Sequence, residues 1–380
     1  MTEIFEGHLV LPENVKYGQV VIKDGRISNV IFDANEFLEP TVKVQDDQYI
    51  CPGFVDIQIN GAFGKEFKTD VDSVEFVRTK LPKFGTTSFC PTITTRPLDT
   101  YQGHIKAMLQ GIGVENGSKI IGFHLEGPFL NPSKVGAQNS SLLHNPIDCP
   151  YDNYATEHVE IVTISPELEG SKELIDRLIS DGKKVGVGHS LIAYSELTEL
   201  FDSDNMMIVH VFNAMADLNS RKPGVVGAAL EKDEYYVSLI SDGIHVDPVT
   251  VRIFWKSKTY KNRVICITDG SAVSGMDVGI HQIGSRSIEK RLDRAVIEGT
   301  ETLVGSTLTL NVAAKNLKAF TNCTLSEAIN AVSLNPATYL GRQNDIGQIR
   351  PGNAADLVII DNEFDVKRTY VDGALLSSNE

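Results

Sequence analysis

The sequence has no C-x-x-C pair, and its five cysteines, Cys51, Cys90, Cys149, Cys266 and Cys323, are scattered along 380 residues. An odd number at such spacings supplies neither a disulfide framework nor a thiolate metal site. They read as small buried apolar residues in a reducing compartment. No apolar run approaches the ~20 residues a membrane-spanning helix needs. The start, Met1-Thr2-Glu3-Ile4, lacks the basic segment and apolar stretch of a secretory leader, so the expected location is the cytoplasm. Cationic runs are missing as well. With a formal net charge of -15 and no dense Lys/Arg patch, the chain offers no surface for nucleic acid or anionic membranes. An anionic small substrate would need locally placed cations. No glycine-rich dinucleotide or phosphate-loop fingerprint follows any apolar run, and there is no internal repeat or low-complexity linker.

What is present is ordinary globular composition, 42% hydrophobic and 22% charged, which allows a large core. The length suits one large domain plus a small one, since barrel enzymes commonly run to ~250 residues with appended pieces. Both ends are strand-like. Gln19 to Lys23 and Ile27 to Ile31 flank an Asp24-Gly25 hairpin turn, and Leu357 to Asp361 is followed by Thr369 to Val371 and Asp372-Gly373. Between the ends, apolar runs of strand length alternate with helical spacing, the pattern of a parallel sheet covered by helices. The runs are Phe54 to Ile59, Thr86 to Cys90, Ile120 to Leu125, Val159 to Ile164, Lys184 to Val187, Met207 to Val211, Val237 to Ile240 and Val264 to Thr268. Expected helices include Ser73 to Phe84, Ser171 to Ser180, Tyr194 to Phe201, Pro248 to Lys258 and Leu308 to Phe320. Eight alternations without a dinucleotide fingerprint favour a closed α/β barrel over an open sheet. The expected fold is therefore a (β/α)8 TIM-like barrel over residues 51–344, with a small β-sandwich domain built from residues 1–50 and 345–380.

In such a barrel the active site lies at the C-terminal ends of the strands, so polar residues that terminate apolar runs are informative. Glu126 ends the third run, His189 follows the fifth, His210 lies on the sixth, and Asp269 follows the eighth. Two imidazoles and a carboxylate make three protein ligands and leave a position open, as a catalytic divalent metal site requires. Each residue alone has a plainer reading as a core, loop or turn residue. Four ionisable groups at strand ends in a chain with nine histidines are harder to attribute to packing. His124 shares a strand face with Glu126 and either orients a ligand from behind or packs inside the barrel. His8, His104, His144, His158 and His281 fall outside the pattern.

At this point the residues resemble the amidohydrolase superfamily and, within it, the N-acetylglucosamine-6-phosphate deacetylase family. The carrying segments are Pro52-Gly53-Phe54-Val55-Asp56, His124-Leu125-Glu126-Gly127-Pro128-Phe129, Val187-Gly188-His189-Ser190 and His210-Val211-Phe212-Asn213-Ala214-Met215. Further matches are Arg221-Lys222-Pro223-Gly224, Asp242-Gly243-Ile244-His245-Val246-Asp247, Thr268-Asp269-Gly270 and Gly305-Ser306-Thr307-Leu308. Their order and spacing extend over nearly the whole chain. The resemblance implies hydrolysis of the N-acetyl group of N-acetyl-D-glucosamine 6-phosphate, giving glucosamine 6-phosphate and acetate. It implies one divalent metal ion per subunit on Glu126, His189 and His210. Asp269 would take a proton from the attacking water and later pass it to the leaving amine. The sugar phosphate would lie near Ala137, Gln138, Asn213, the Ala214 backbone N–H, Leu303, Val304 and Gly305. Arg221 and His245 would reach it from a neighbouring subunit, which implies a homodimer.

Two positions depart from common patterns. Many amidohydrolases carry His-x-His at the end of the first strand, where this chain has Gln58-Ile59-Asn60. Amide oxygens are weaker metal donors than imidazole, so a single metal is expected. Gln138 stands where some members have histidine; its amide can donate a hydrogen bond but cannot carry a positive charge. Zinc, iron, manganese and cobalt all suit a Glu/His/His set, with zinc the first choice. Two other functions are open to the same sequence: an amidohydrolase acting on another N-acyl or cyclic amide substrate, and a non-catalytic barrel serving as a scaffold.

Overall fold

A computed structural model describes residues 2–68, 70–110 and 116–379 of the chain. Among them a parallel barrel sheet runs through the strands Phe54–Ile59, Thr86–Thr94, Phe123–Glu126, Val159–Ile164, Lys184–Val187, Met206–Ile208, Tyr236–Leu239 and Val264–Cys266, each hydrogen-bonded to the next. The first strand is sealed to the region after the last by a parallel bridge between Ile59 and Gly270, with Asp269 N–H donating to Gln58 O at 2.8 Å and Asn60 N–H donating to Gly270 O at 2.9 Å. These strands are buried along nearly their whole length because helices cover the outer face and side chains fill the inside. All six residues of Phe54–Ile59 are buried.

The helices follow from their sequences. Ser171–Ser180 buries Leu174, Ile175 and Leu178 at helical spacing, and Pro248–Ser257 is started by Pro248 with the Asp247 carboxylate accepting from Val249 N–H at 2.7 Å. Thr324 and Glu327 form a reciprocal capping box at the start of Leu325–Val332.

Several expected boundaries move, and each has a cause. The third run is split into Lys119–Ile120 and Phe123–Glu126. Gly122 turns there at φ 120°, with the Glu160 side chain 1.9 Å from where a Cβ would stand. The expected helix Ser73 to Phe84 stops at Arg78 and resumes as a 3₁₀ turn, Leu81–Phe84, because Pro82 cannot donate to a continuing α-helix. The sixth and eighth strands end earlier than expected, at Ile208 and Cys266, so His210 and Asp269 stand on loops beyond them.

The chain ends share one sheet, in the order Ala374–Ser378, Val366–Val371, Leu357–Asp361, Gln48–Pro52, Thr2–Val10, Val15–Lys23, Arg26–Ile31. The sheet curls on itself. Phe5 meets Tyr370 edge-on at 4.8 Å, and Ile27 N–H donates to Asn353 O at 2.9 Å. Phe5, Leu9, Val20, Ile50, Leu357 and Ile359 form its core. Gly53 carries the chain from this sheet into the barrel, where the Thr87 hydroxyl lies 2.1 Å from the place of a Cβ.

A third sheet was not foreseen. Gly279–Ile283, Arg286–Lys290 and Ala295–Ile297 make an antiparallel flap after the last barrel strand, packed on Ala272, Val273 and Val304. Its strands are half polar and too short to stand out by alternation. Among the described residues no helix is long and apolar enough to cross a membrane.

The end sheet and barrel are also joined by charge. Lys119 Nζ lies 2.8 Å from Asp356, which is buried, and 2.9 Å from Asp372. Lys119→Met removes the only charge within salt-bridge reach of the Asp356 carboxylate among the described residues. The variant is expected to lose about 3 kcal/mol in urea-induced unfolding, and a loss under about 0.5 kcal/mol, the range of neutral surface changes, contradicts the assignment.

Candidate metal and substrate site

Strand ends present the expected residues to one cavity. Glu126 closes the third strand, while His189, His210 and Asp269 lie just beyond the fifth, sixth and eighth. These last three adopt positive φ, 51°, 32° and 46°. A non-glycine residue in that region is held by its surroundings at some conformational cost, and such residues cluster at functional sites. The holding bonds are visible: Ser238 Oγ accepts from His210 N–H at 2.8 Å, His189 O accepts from Asn131 N–H at 3.2 Å, and Asp269 O accepts from Ser306 N–H at 2.9 Å.

Among the described residues, Glu126, His189 and His210 form the single Asp/Glu/His/Cys group with metal-ligating geometry, their ligand atoms all within 4.8 Å of one another. Glu126 Oε1 is 3.0 Å from His210 Nε2 and 3.4 Å from His189 Nε2, and the two rings stand edge to face at 5.0 Å. All three side chains are buried. The donor set fits a cation for a structural reason. His189 Nδ1 lies 2.7 Å from the Lys134 carbonyl, which only accepts, so Nδ1 carries the ring proton and the Nε2 lone pair faces the carboxylate. His210 Nδ1 is buried without a partner. A carboxylate and the His189 lone pair aimed at one point require a positive charge between them, and two imidazoles with one carboxylate suit a divalent transition metal. Burial alone would raise the Glu126 carboxyl, but the His189 and His210 imidazoles beside it outweigh burial and hold the group well below the usual carboxylate range. On His210, burial works against protonation and the Glu126 carboxylate overcomes it, so that imidazole is raised.

Asp269 behaves in the opposite way. Burial, with the nearby Glu126 charge, pushes its carboxyl up to about 6. Asn60 Nδ2 donates to Asp269 Oδ1 at 2.7 Å, and Gln58 Nε2 donates to Glu126 Oε1 at 2.8 Å. The two amides at the place of His-x-His therefore hold the two carboxylates. Gln138 reaches the same group, its Nε2 donating to Glu126 Oε2 at 3.2 Å.

His124 hydrogen-bonds to none of the three ligands. Its nitrogens lie 2.9 Å from Ile57 O and 2.7 Å from Thr163 Oγ1, tying the first, third and fourth strands, and burial holds it down to about 4 and therefore neutral. Of its two expected roles, the packed barrel histidine is the one its contacts describe.

The ligands open into a cavity of about 470 Å³, a size typical of small-molecule sites. Ala137, Gln138, Asn213, Ala214, His245, Leu303, Val304 and Gly305 all line it. Asn213 commits its side-chain N–H groups to the carbonyls of His210 and Val211, both at 3.2 Å. His245 was expected from across a subunit interface; it lines the cavity of its own chain. Arg221 is exposed on the 219–222 turn and does not line that cavity.

Sequence reasoning missed three residues here. Asp242 Oδ2 lies 2.6 Å from His245 Nδ1, and Asp242 Oδ1 accepts from the N–H groups of Ile244 and His245 at 2.8 Å, so the ring is aimed by a residue three positions earlier. The signal was the Asp-x-x-His spacing. Lys68 and Arg286 bring positive charge to the cavity wall; Arg286 donates to Glu66 and to the Ala137 carbonyl, latching the flap. Neither lies at the end of a barrel strand, and nothing in the local sequence marks them.

Comparison with known proteins agrees with this architecture. The model of the amidohydrolase family matches residues 49–376. The N-acetylglucosamine-6-phosphate deacetylase of Mus musculus is 34% identical, covering 93% of this chain and 90% of that one, and the enzyme of the same name from Bacillus subtilis is 31% identical, covering 95% and 93%. A solved structure of a mutant N-acetyl-D-glucosamine-6-phosphate deacetylase from Mycobacterium smegmatis, in complex with N-acetyl-D-glucosamine 6-phosphate, superposes with a TM-score of 0.89 at 25% identity over 99% of this chain and 100% of that one. The chain belongs to the amidohydrolase family and, within it, to the family of N-acetylglucosamine-6-phosphate deacetylases.

Proposed function

We propose that this chain hydrolyses the N-acetyl group of N-acetyl-D-glucosamine 6-phosphate to acetate and D-glucosamine 6-phosphate, with one zinc ion on Glu126, His189 and His210. The observation that carries the reading is the buried three-ligand cluster with Asp269 beside it in a cavity of sugar-phosphate size. Bound there, a divalent cation supplies Lewis acidity to the carbonyl and the attacking water. The rest of the chemistry belongs to the chain. Asp269, ionised and held by Asn60, accepts one proton from the attacking water and returns it to the amide nitrogen as the C–N bond breaks; the products are the neutral amine and acetic acid, which then ionises to acetate and gives its remaining proton to solvent or to the amine. A neighbouring cation favours the ionised form, which counters the rise that burial causes.

The phosphate is placed near the Ala214 N–H and His245, whose second nitrogen is freed for it by the Nδ1 contact with Asp242. Arg221 is assigned to the site of a second subunit, giving a homodimer; its exposure on a turn away from its own cavity supports this. Residues 1–50 and 345–380 are taken as a small β-sandwich domain and 51–344 as the barrel, on the strength of the pairing between Leu357–Asp361 and Gln48–Pro52. The reaction is placed in the cytoplasm, within amino-sugar catabolism, since a charged sugar phosphate does not cross a bilayer unaided.

Acetate release is the direct test. Zinc-reconstituted protein is expected to turn over the 6-phosphorylated sugar with kcat/KM about 100-fold above that for N-acetylglucosamine, since hydrogen bonds to a charged group are lost in the latter. Equal turnover of the two would redirect the assignment to another N-acyl substrate. Asp269→Asn is expected to lower kcat by about 10³-fold with zinc content unchanged. In the wild-type chain the active, ionised base disappears as pH falls through its own value, so the acid limb of kcat/KM should lie at or below about 6. A limb above pH 7, or full activity of the Asn variant, removes Asp269 as the base.

A further inference from the structure

Gln138 has an amide whose orientation is fixed unambiguously. Its Oε1 accepts from the backbone N–H of Thr95 at 2.9 Å and also from the Thr95 hydroxyl. A backbone N–H can only donate, so the atom facing it must be oxygen. The reverse flip would set the NH₂ group against that N–H and the amide oxygen against the Glu126 carboxylate. The nitrogen therefore faces Glu126 Oε2, 3.2 Å away.

The two oxygens of Glu126 are treated differently. Oε1 faces both imidazoles and receives the Gln58 amide at 2.8 Å. Oε2 is met by Gln138. Rotation of the carboxylate about its terminal torsion is soft by itself. The Gln138 contact resists the rotation that would exchange the two oxygens or present both at once. Thr95 lies just past the second barrel strand, Thr86–Thr94, and is itself buried, so the chain of contacts from Thr95 through Gln138 to Glu126 starts on the rigid barrel wall. Gln138 stands on the loop after the third strand, and without Thr95 little in its own segment would fix its amide.

We propose that Gln138 is a positioning residue for the metal carboxylate: Thr95 sets the direction of its amide, and its N–H holds Glu126 Oε2 so that Oε1 alone is presented to the cation. This rests on the reading of Glu126 as a ligand and adds a role for Gln138 that is separate from contact with substrate. Of its two amide hydrogens one is used on Glu126, and the other remains for the cavity it lines.

The test is zinc affinity, measured without substrate by competition between the metal-free chain and a chromogenic chelator. Gln138→Met keeps the length and removes both polar atoms; it is expected to weaken zinc binding by about tenfold or more, the scale of lost outer-shell support. Thr95→Val is expected to weaken it in the same direction by a smaller factor, and Thr95→Ser, which restores the hydroxyl, to return it to the wild-type value. Thermal melting of the metal-free forms separates these effects from loss of fold. Zinc affinity within twofold of wild type in both Gln138→Met and Thr95→Val, with KM for the sugar phosphate raised in Gln138→Met, assigns Gln138 to the substrate and overturns the proposal. A wild-type chain that binds no zinc removes the proposal and the three-ligand reading together, whereas normal wild-type binding with unaffected variants removes the proposal alone.

Discussion

At the C-terminal end of the barrel strands a buried carboxylate, Glu126, has two imidazole nitrogens within 3.4 Å, one of them with its lone pair fixed toward it by a backbone carbonyl. Unpaired, such a group would cost several kcal/mol of desolvation. The arrangement makes sense only around positive charge, and much of the surrounding structure serves to keep it in place. His189 and His210 accept left-handed backbone angles to face the same point, and those angles are held by bonds to Asn131 and Ser238 on neighbouring elements. Asp269 acquires its raised carboxyl from burial and from the Glu126 charge beside it, so the character of the base depends on the same group.

Amides are the second recurring device. Gln58 and Asn60 each donate to a carboxylate of the site, and Gln138 adds a third such contact. An amide carries no charge to titrate, and here each turns its N–H toward a carboxylate. The position that lacks His-x-His is therefore occupied by hydrogen bonds that orient the ligand and the base.

The strand-end residues were legible in the sequence because barrel geometry converts a one-dimensional pattern, an apolar run followed by a polar residue, into a common location at the C-terminal face. Glu126, His189, His210 and Asp269 were found in that way, and all four line one cavity. The flap was not legible, since Gly279–Ile283 and Arg286–Lys290 alternate weakly and bury little. Lys68 and Arg286 come to the cavity through that flap and through a loop, and no periodicity announces either. Asn213 shows another limit: its place on the wall was expected, but the direction of its amide depends on carbonyls that only the folded loop brings near. The interruption at Gly122 could be anticipated only by knowing that Glu160 packs against it.

The account depends on the buried cluster being a cation site, and calorimetric titration of the metal-free chain with zinc examines that alone. The account predicts one site per chain, lost in Glu126→Gln, where the central charge is gone and the fold is retained. Two sites per chain, no site, or undiminished binding in the Gln variant would contradict it.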